Sequence, residues 1–250
     1  MIERPTDKTP KAPTPVSDSP GEELETVEVT LSDGRVAVMV EPMGGADMIL
    51  QGFDEDDEHN VEVIVKYTHA TCRTIDGEPP TFEAIAAMSR YDRHIMLKRN
   101  RQNPKTFGDT VEFDLTCVKD PKTKTGCGQE SKAVVALSGI LETVPEIGLL
   151  ESRHPTLGVV TLKPITMEVE QALQNIDETT DILAMRVMIV DGKPYGTMRQ
   201  WPSRKNKILR AMIQRLDGEP GLTTTVTCGV HGCGKQHRIS MLTVPDFFAL

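Results

Sequence analysis

The chain has 250 residues, of which 38% are hydrophobic, 26% charged and 4% aromatic, and its formal net charge is −9. This length suffices for one large domain or for two domains of about 100 residues, each with its own core. The negative charge argues against a general affinity for nucleic acid, because phosphate neutralisation requires surplus Lys and Arg. No apolar run reaches the ~18 residues of a membrane span, and the start MIERPTDKTP lacks the basic and apolar stretches of a signal peptide. We therefore expect a cytosolic protein whose thiols stay reduced.

Residues 1–25 contain five prolines and no aromatic side chain. Such a segment buries too little apolar surface to offset the entropy of ordering it, which predicts a disordered tail. From about Thr26 apolar and polar residues alternate on either side of Asp33-Gly34, a pattern that predicts a β-hairpin.

A similar succession of elements recurs later in the chain. The strand-like segments 34–42 and 158–164 both end at a proline, and a helix start is expected after each. Thr166 is the expected N-cap of the second of these helices. In the first copy Gly44, Gly45 and Asp47 stand in place of such a cap.

Both copies continue in the same order: an acidic loop, an apolar run, an Asp-Gly turn, a polar-capped amphipathic helix and a strand that reaches a cysteine. The acidic loops are Asp54–Glu58 and Asp177–Asp181, and the amphipathic helices are expected to begin near Ser89 and Ser203. The order of elements carries this comparison, since few residues are identical.

The repeat predicts an α+β fold of two similar lobes that arose by internal duplication. The first lobe spans residues 26–138, the linker 139–154, and the second lobe 155–250. Each lobe is expected to contain small antiparallel hairpins, two or three helices and a cysteine-bearing, zinc-ribbon-like hairpin.

Four cysteines stand in two related settings. Cys117 and Cys127 close the first lobe, Cys228 and Cys233 close the second, and the second cysteine of each pair lies between two glycines. Structural zinc takes four thiolate or imidazole ligands from two short hairpins, and the glycines let the backbone turn tightly around a metal. The pattern predicts a structural zinc site, against the alternative of four unrelated core thiols.

Two site geometries are compatible with this spacing. One zinc is shared by all four cysteines and ties the lobes together, or Cys228 and Cys233 recruit His231 or His237 while the first pair stays empty. The shared site is favoured because the first copy has Ser131 in the place of the second copy's histidine.

The fifth cysteine, Cys72, has a different setting. Aligning Gly77 with Gly192 places Cys72 opposite Val187. This correspondence predicts a position in the core.

Basic residues cluster on both amphipathic helices. They form either the solvated face of each helix or a local basic patch that complements an acidic partner or nucleic acid. The residues are Arg90, Arg93, Lys98, Arg99 and Arg101 in the first copy, and Arg204, Lys205, Lys207, Arg210 and Arg215 in the second.

The sequence contains no nucleophile elbow, phosphate-binding glycine loop, dinucleotide fingerprint or His-Glu-x-x-His helix. Four cysteines would also fill a zinc site and leave no open position for a substrate. We therefore expect a protein that is not an enzyme.

The phrases Glu41-Pro42-Met43 and Lys163-Pro164-Ile165-Thr166 each join a strand to a helix that is followed by paired cysteines. This succession resembles the tail and baseplate-hub assembly chaperones of tailed bacteriophages, in which a strand, an Arg/Lys/Glu-Pro-x-Thr opening and a helix precede a Cys-x-x-Cys hairpin. The chain departs from that pattern in two ways: the first copy lacks the threonine, and both cysteine spacings exceed two residues.

The resemblance implies a virion-assembly protein, either a chaperone in the cytoplasm of the infected cell or a component of the virion tail. Its partner would be a tail or baseplate hub protein. The alternative is a zinc-ribbon module that binds nucleic acid or acts in transcription. The hairpins do carry basic residues, but few aromatic side chains lie near them for base stacking; these basic residues are Lys119, Lys122, Lys124, Lys235 and Arg238.

Overall fold

The computed structural model describes residues 24–51, 60–119, 125–146, 151–174 and 182–248. These residues form a mixed α+β fold of small antiparallel sheets and short helices. Nearly all of the tail expected over residues 1–25, and both acidic loops, lie outside the described residues.

The first half of the described chain, residues 24–138, contains a three-stranded sheet, a separate hairpin and four helices. In chain order these are β1 (Thr26–Thr30), β2 (Val36–Val40), α1 (Gly44–Leu50), α2 (Asn60–Thr71), β3 (Cys72–Ile75), α3 (Phe82–Ala87), α4 (Arg90–Arg101), β4 (Thr110–Thr116) and β5 (Glu130–Ala136). The sheet order is β1-β2-β3, and β4 pairs with β5 alone. The expected hairpin around Asp33-Gly34 is confirmed as β1–β2.

The second half, residues 151–248, contains a four-stranded sheet, a separate hairpin and four helices. Its elements are β6 (Glu151–His154), β7 (Gly158–Leu162), α5 (Met167–Gln174), α6 (Ile182–Arg186), β8 (Val187–Val190), β9 (Lys193–Pro194), α7 (Ser203–Asp217), β10 (Thr223–Thr227), β11 (Gln236–Ser240) and α8 (Pro245–Phe248). The sheet order is β6-β7-β8-β9, and β10 pairs with β11. Strand β6 lies within residues 139–154, which were expected to be a linker, and each half has four helices in its described part where two or three were expected.

The two larger sheets share one pairing pattern. A register shift interrupts β2 and β3 between Val38 and Met39, after which Met39 pairs with Cys72. The same shift interrupts β7 and β8 beside Leu162, which pairs with Val187. Cys72 therefore occupies the position of Val187 and is buried, which confirms its expected place in the core.

The turns after β3 and β8 also match. Asp76 and Asp191 both have φ of 52°, a left-handed conformation that aspartate tolerates better than most residues. Each donates its backbone N–H to the second strand, Asp76 to the carbonyl of Val36 and Asp191 to that of Val159.

The described residues bury three apolar clusters. One lies under β1–β3 and a second under β7–β8 and α7. The third joins the two halves, because the hairpins β4–β5 and β10–β11 and the C-terminal α8 pack into one core. Its members include Val111, Phe113, Leu115, Val135, Leu222, Met241, Phe247 and Phe248. The two hairpins therefore pack against each other in this shared core.

A buried ion pair also connects the halves. The guanidinium of Arg93 on α4 donates to the carboxylate of Glu170 on α5 at 2.5 Å, and its other nitrogen donates to the carbonyl of Met88. Burial lowers the pKa of Arg93 and raises the pKa of Glu170. Burial thus disfavours the charged form of both side chains, and each charge is stabilised by the other.

The two amphipathic helices begin differently. Ser89 caps α4 as predicted, since its hydroxyl accepts from the backbone N–H of Asp92. Ser203 was expected to start α7 in the same way. The cap is instead Pro202, which has no side-chain hydrogen bond to offer, and Ser203 is the first helical residue.

Candidate metal centre

The paired hairpins bring the four predicted ligands to one place. Cys117 directly follows β4 and Cys228 directly follows β10, while Cys127 and Cys233 precede the returning strands. Because both hairpins pack into the same core, their cysteine ends meet although they are far apart in sequence.

The sulfur atoms form a compact group. Cys117 Sγ lies 3.7 Å from Cys233 Sγ, and Cys127 Sγ lies 3.8 Å from Cys228 Sγ. The four sulfurs all lie within 4.8 Å of one another, and the cysteines are free thiols. Each close pair takes one cysteine from each half, so a bound ion would join the halves.

These distances suit a metal ion. A tetrahedral ion with bonds of about 2.3 Å to sulfur separates its ligands by about 3.8 Å, close to both measured separations. The four cysteines can therefore hold a metal ion. Four thiolates complete a tetrahedral sphere and leave no position for a substrate.

Glycines make the tight turn in the first hairpin possible. Gly126 has φ of 92°, and a Cβ there would overlap the carbonyl oxygen of Val118. Gly128 has φ of 73° and donates its N–H to the carbonyl of Cys117 at 2.8 Å. This hydrogen bond closes the turn and fixes Cys117 beside Cys127.

The second hairpin reaches the same end point with a shorter turn. The N–H of Cys228 donates to the carbonyl of Lys235 at 2.8 Å, and the N–H of Cys233 to that of Val230 at 3.0 Å. Gly232 and Gly234, on either side of Cys233, both have positive φ. The two hairpins thus present their sulfurs in the same way despite turns of different length.

The thiols of Cys233 and Cys127 differ in their pKa. A backbone hydrogen bond from Lys235, together with hydrogen bonds from the other thiols, lowers the pKa of Cys233 to about 7. At Cys127 a backbone hydrogen bond from Gln129 acts to lower the pKa. Burial and the other three cysteines outweigh it and raise the pKa to about 11. A cation is what allows all four sulfurs to be thiolates together.

The two histidines considered as ligands occupy different places. His237 on β11 has its Nε2 atom 3.3 Å from Cys117 Sγ, so it touches a ligand sulfur. His231 is exposed and lies beside the same open depression as Cys127 and Cys233. The group of ligating atoms found among the described residues consists of the four cysteines, which favours the shared site.

Two contacts between the hairpins were not predicted. Lys235 Nζ donates to the carbonyl of Val118 at 2.6 Å, and Gly229 N–H donates to the hydroxyl of Ser131 at 3.2 Å. Spacing along the chain gives no signal for either contact, because each depends on how the hairpins face each other. Both hold the cysteine turns together without using a metal.

The chain matches no family model, no curated protein and no solved structure. Within the described ranges, none of the helices combines the length and the apolar character that crossing a membrane requires.

Proposed function

We propose that this chain is a zinc-stabilised, non-enzymatic assembly protein of a tailed bacteriophage, a chaperone or a baseplate component that binds a tail or baseplate hub protein. It would act in the host cytoplasm or in the virion tail. The observation that carries the proposal is the closed set of four thiols, two from each half, between hairpins that share a core. Such a site supports a structural role, since it offers no open coordination position.

Zinc is the metal that this role favours. Tetrahedral sulfur sites take zinc or iron, and zinc has no redox chemistry that could disturb a structural link. The repeated bulge and Asp-Gly turn of the two sheets support the further proposal that the halves arose by duplication. In that case the zinc joins the equivalent hairpins of two copies.

The partner class rests on the resemblance of the strand-Pro-helix phrases and paired cysteines to phage assembly chaperones. The rival function, nucleic-acid binding through the metal hairpins, has less support from the contacts there. Lys235 is used in the contact with Val118, and Lys132 pairs with Asp114 at 3.0 Å.

Metal content tests the site. We expect purified protein to contain one zinc per chain by elemental analysis, and either Cys117→Ser or Cys228→Ser to lose it. Cys72→Ser is the matched control, because Cys72 lies in a separate core and should leave the zinc in place. Loss of zinc only in the Cys228 variant would indicate a site within the second half. Iron found in place of zinc would show that the centre holds iron. Protein without any metal would refute the metal centre.

Binding to a partner tests the rest. The intact protein is mixed with purified hub, tube and tape-measure proteins of a tailed phage, and complex formation is measured by size-exclusion chromatography with light scattering. A stoichiometric complex with one of them is expected. A filter-binding titration with duplex DNA and RNA against salt is the counter-test, since tight binding that weakens steeply with salt would favour the rival function.

A further inference from the structure

The start of α7 and the loop before it carry an exposed basic surface, which we define as Arg199, Arg204, Lys205 and Lys207. Arg199, Arg204 and Lys207 are exposed, and Lys205 is partly buried. From Gly192 to Leu216 the sequence contains no acidic residue. Within the described residues none of the three exposed cations forms a salt bridge, so this surface is locally positive in a chain of net charge −9.

A buried polar network holds this surface in shape. The hydroxyl of Tyr195 donates to the side-chain oxygen of Asn206 at 3.0 Å, and the indole N–H of Trp201 donates to the carbonyl of Tyr195 at 2.7 Å. Tyr195 and Asn206 are both buried, and the rings of Tyr195 and Trp201 stack with centroids 5.6 Å apart. The loop that carries Arg199 is thereby fixed against the first turn of α7.

The charges on this surface oppose the stability of the helix that carries them. A helix N-terminus favours acidic side chains, because its macrodipole is positive there. The first turn of α7 has Arg204 and Lys205 and no acid, and its cap residue Pro202 makes no side-chain hydrogen bond. A sequence that departs from such a helix-stability preference, with no compensating contact in the fold, is expected at binding sites.

We propose that the basic surface is a docking site for an acidic polypeptide segment of a partner protein. This inference rests on the proposed function, because it assigns the chemistry of the partner that an assembly protein would bind. Carboxylates of such a segment would pair with Arg204 and Lys207, which lie one helical turn apart, about 5 Å along the axis. They would also offset the positive end of the α7 dipole.

Two observations favour an acidic polypeptide over a nucleic acid. The net charge of −9 repels a long polyanion, whereas a short acidic segment meets mainly the local field. Single-stranded nucleic acid also requires aromatic faces for stacking. The ring of Trp201 is already covered by Tyr195 and by the Lys205 ammonium, whose nitrogen lies 5.2 Å from the ring centroid.

The chain offers a built-in probe, because Trp201 is its only tryptophan. A short glutamate oligomer, referred to below as poly-glutamate, is titrated into the zinc-loaded protein, and affinity is measured from Trp201 fluorescence and by calorimetry. We expect saturable binding that weakens with salt and becomes about tenfold weaker or more in the double variant Arg204→Glu/Lys207→Glu. The matched control is Arg73→Glu/Arg153→Glu, which changes net charge equally at two exposed arginines on β3 and β6 and should bind as the unmodified protein does.

Equal weakening in both double variants would overturn the proposal, since the effect would then come from net charge alone. Tighter binding of a single-stranded oligonucleotide than of poly-glutamate would also overturn it. The same variants separate this inference from the proposed function. If a hub protein binds Arg204→Glu/Lys207→Glu at full strength, the assembly function stands and the docking site fails. If poly-glutamate binds and no tail protein does, the docking site stands and the assembly function fails.

Discussion

Helices α4 and α7 follow the same kind of sheet, precede the same kind of hairpin and are both rich in Arg and Lys, yet they place these cations differently. On α4, Arg93 and Lys98 are buried and pair with Glu170 and Glu142. On α7, Arg204 and Lys207 face solvent without an acidic partner in the described structure. Helix α4 uses Arg93 and Lys98 to hold distant segments together, whereas α7 leaves Arg204 and Lys207 available.

The largest effect is expected where α4 is joined to α5. Glu170→Gln leaves the Arg93 guanidinium buried without its counter-charge, which typically costs about 3–5 kcal/mol of unfolding free energy. Urea unfolding followed by circular dichroism measures the loss. The control on α7 is Arg204→Gln, which removes an exposed cation that has no ion-pair partner among the described residues, and its effect should stay within about 0.5 kcal/mol.

A double variant separates pairing from burial. Arg93→Met/Glu170→Leu removes both charges and should cost much less than Glu170→Gln, because no unpaired charge remains inside. If the single and double variants were equally unstable, the contact would matter through shape, and the contrast between the two helices would lose its electrostatic basis.

The two cysteine hairpins use their polar side chains differently. His237 from the second half touches Cys117 of the first, whereas Ser131 bonds the backbone of Gly229 across the hairpins. When Cys117 is a metal-bound thiolate, the ring nitrogen of His237 must be the donor. Losing a hydrogen bond to a ligand typically lowers metal affinity 10–100-fold, and we expect His237→Leu to do so in competition with a chromophoric chelator.

His231→Leu is the matched control for that measurement. His231 lies beside the same depression and is exposed, so its replacement should leave zinc affinity nearly unchanged. An effect at His231 as large as that at His237 would indicate a ligand set that includes histidine.

The sequence predicted the cysteine cluster well because its signal is local. Gly-Cys-Gly turns at the ends of alternating strands are written in adjacent residues, and the strands around Asp33-Gly34 are predictable for the same reason. Whether the basic side chains of α4 and α7 are buried in ion pairs or exposed to solvent was not predictable. It depends on Glu142 and Glu170, which come from distant segments and reach α4 only in the folded chain.

The apolar runs show the same limit. Residues 61–67 belong to a helix, and residues 182–190 cross from a helix directly into a strand. A short apolar run fits a buried helix or a buried strand equally well. The junctions beside Cys72 and Val187 are fixed by pairing with β2 and β7, partners that periodicity does not reveal.

The buried imidazole of His94 on α4 makes stability depend on pH. Burial lowers the pKa of His94 well below its ordinary 6.5, and the charges of Arg90 and Arg93 lower it further. Below pH 6.5 His94 binds a proton in the unfolded chain but stays neutral in the folded chain. The unfolding free energy therefore decreases as the pH is lowered, by at most about 1.4 kcal/mol per pH unit from this group. His94→Gln should remove this contribution.

The measurement compares the unfolding free energy of the His94→Gln variant with that of the unmodified protein at pH 7.5, 6.5 and 5.5. Acid also protonates the metal thiolates, but that loss is common to both proteins and cancels in the difference. As the pH falls, we expect the unfolding free energy of the variant to increase relative to that of the unmodified protein. A gap independent of pH would show that His94 titrates normally and that α4 is less enclosed than its burial indicates.

The smallest expected effect lies at the first turn of α7, and it bears directly on why the two helices differ. Ser203→Asp supplies the acid that α4 has in Asp92 and α7 lacks, and it should raise the unfolding free energy by about 0.3–1 kcal/mol relative to Ser203→Asn. The same substitution places a negative charge beside Arg204, so poly-glutamate should bind more weakly. A gain in stability accompanied by a loss of binding would mean that α7 sacrifices stability for its open basic surface. A gain in stability with unchanged binding would leave the missing acid without a functional reason.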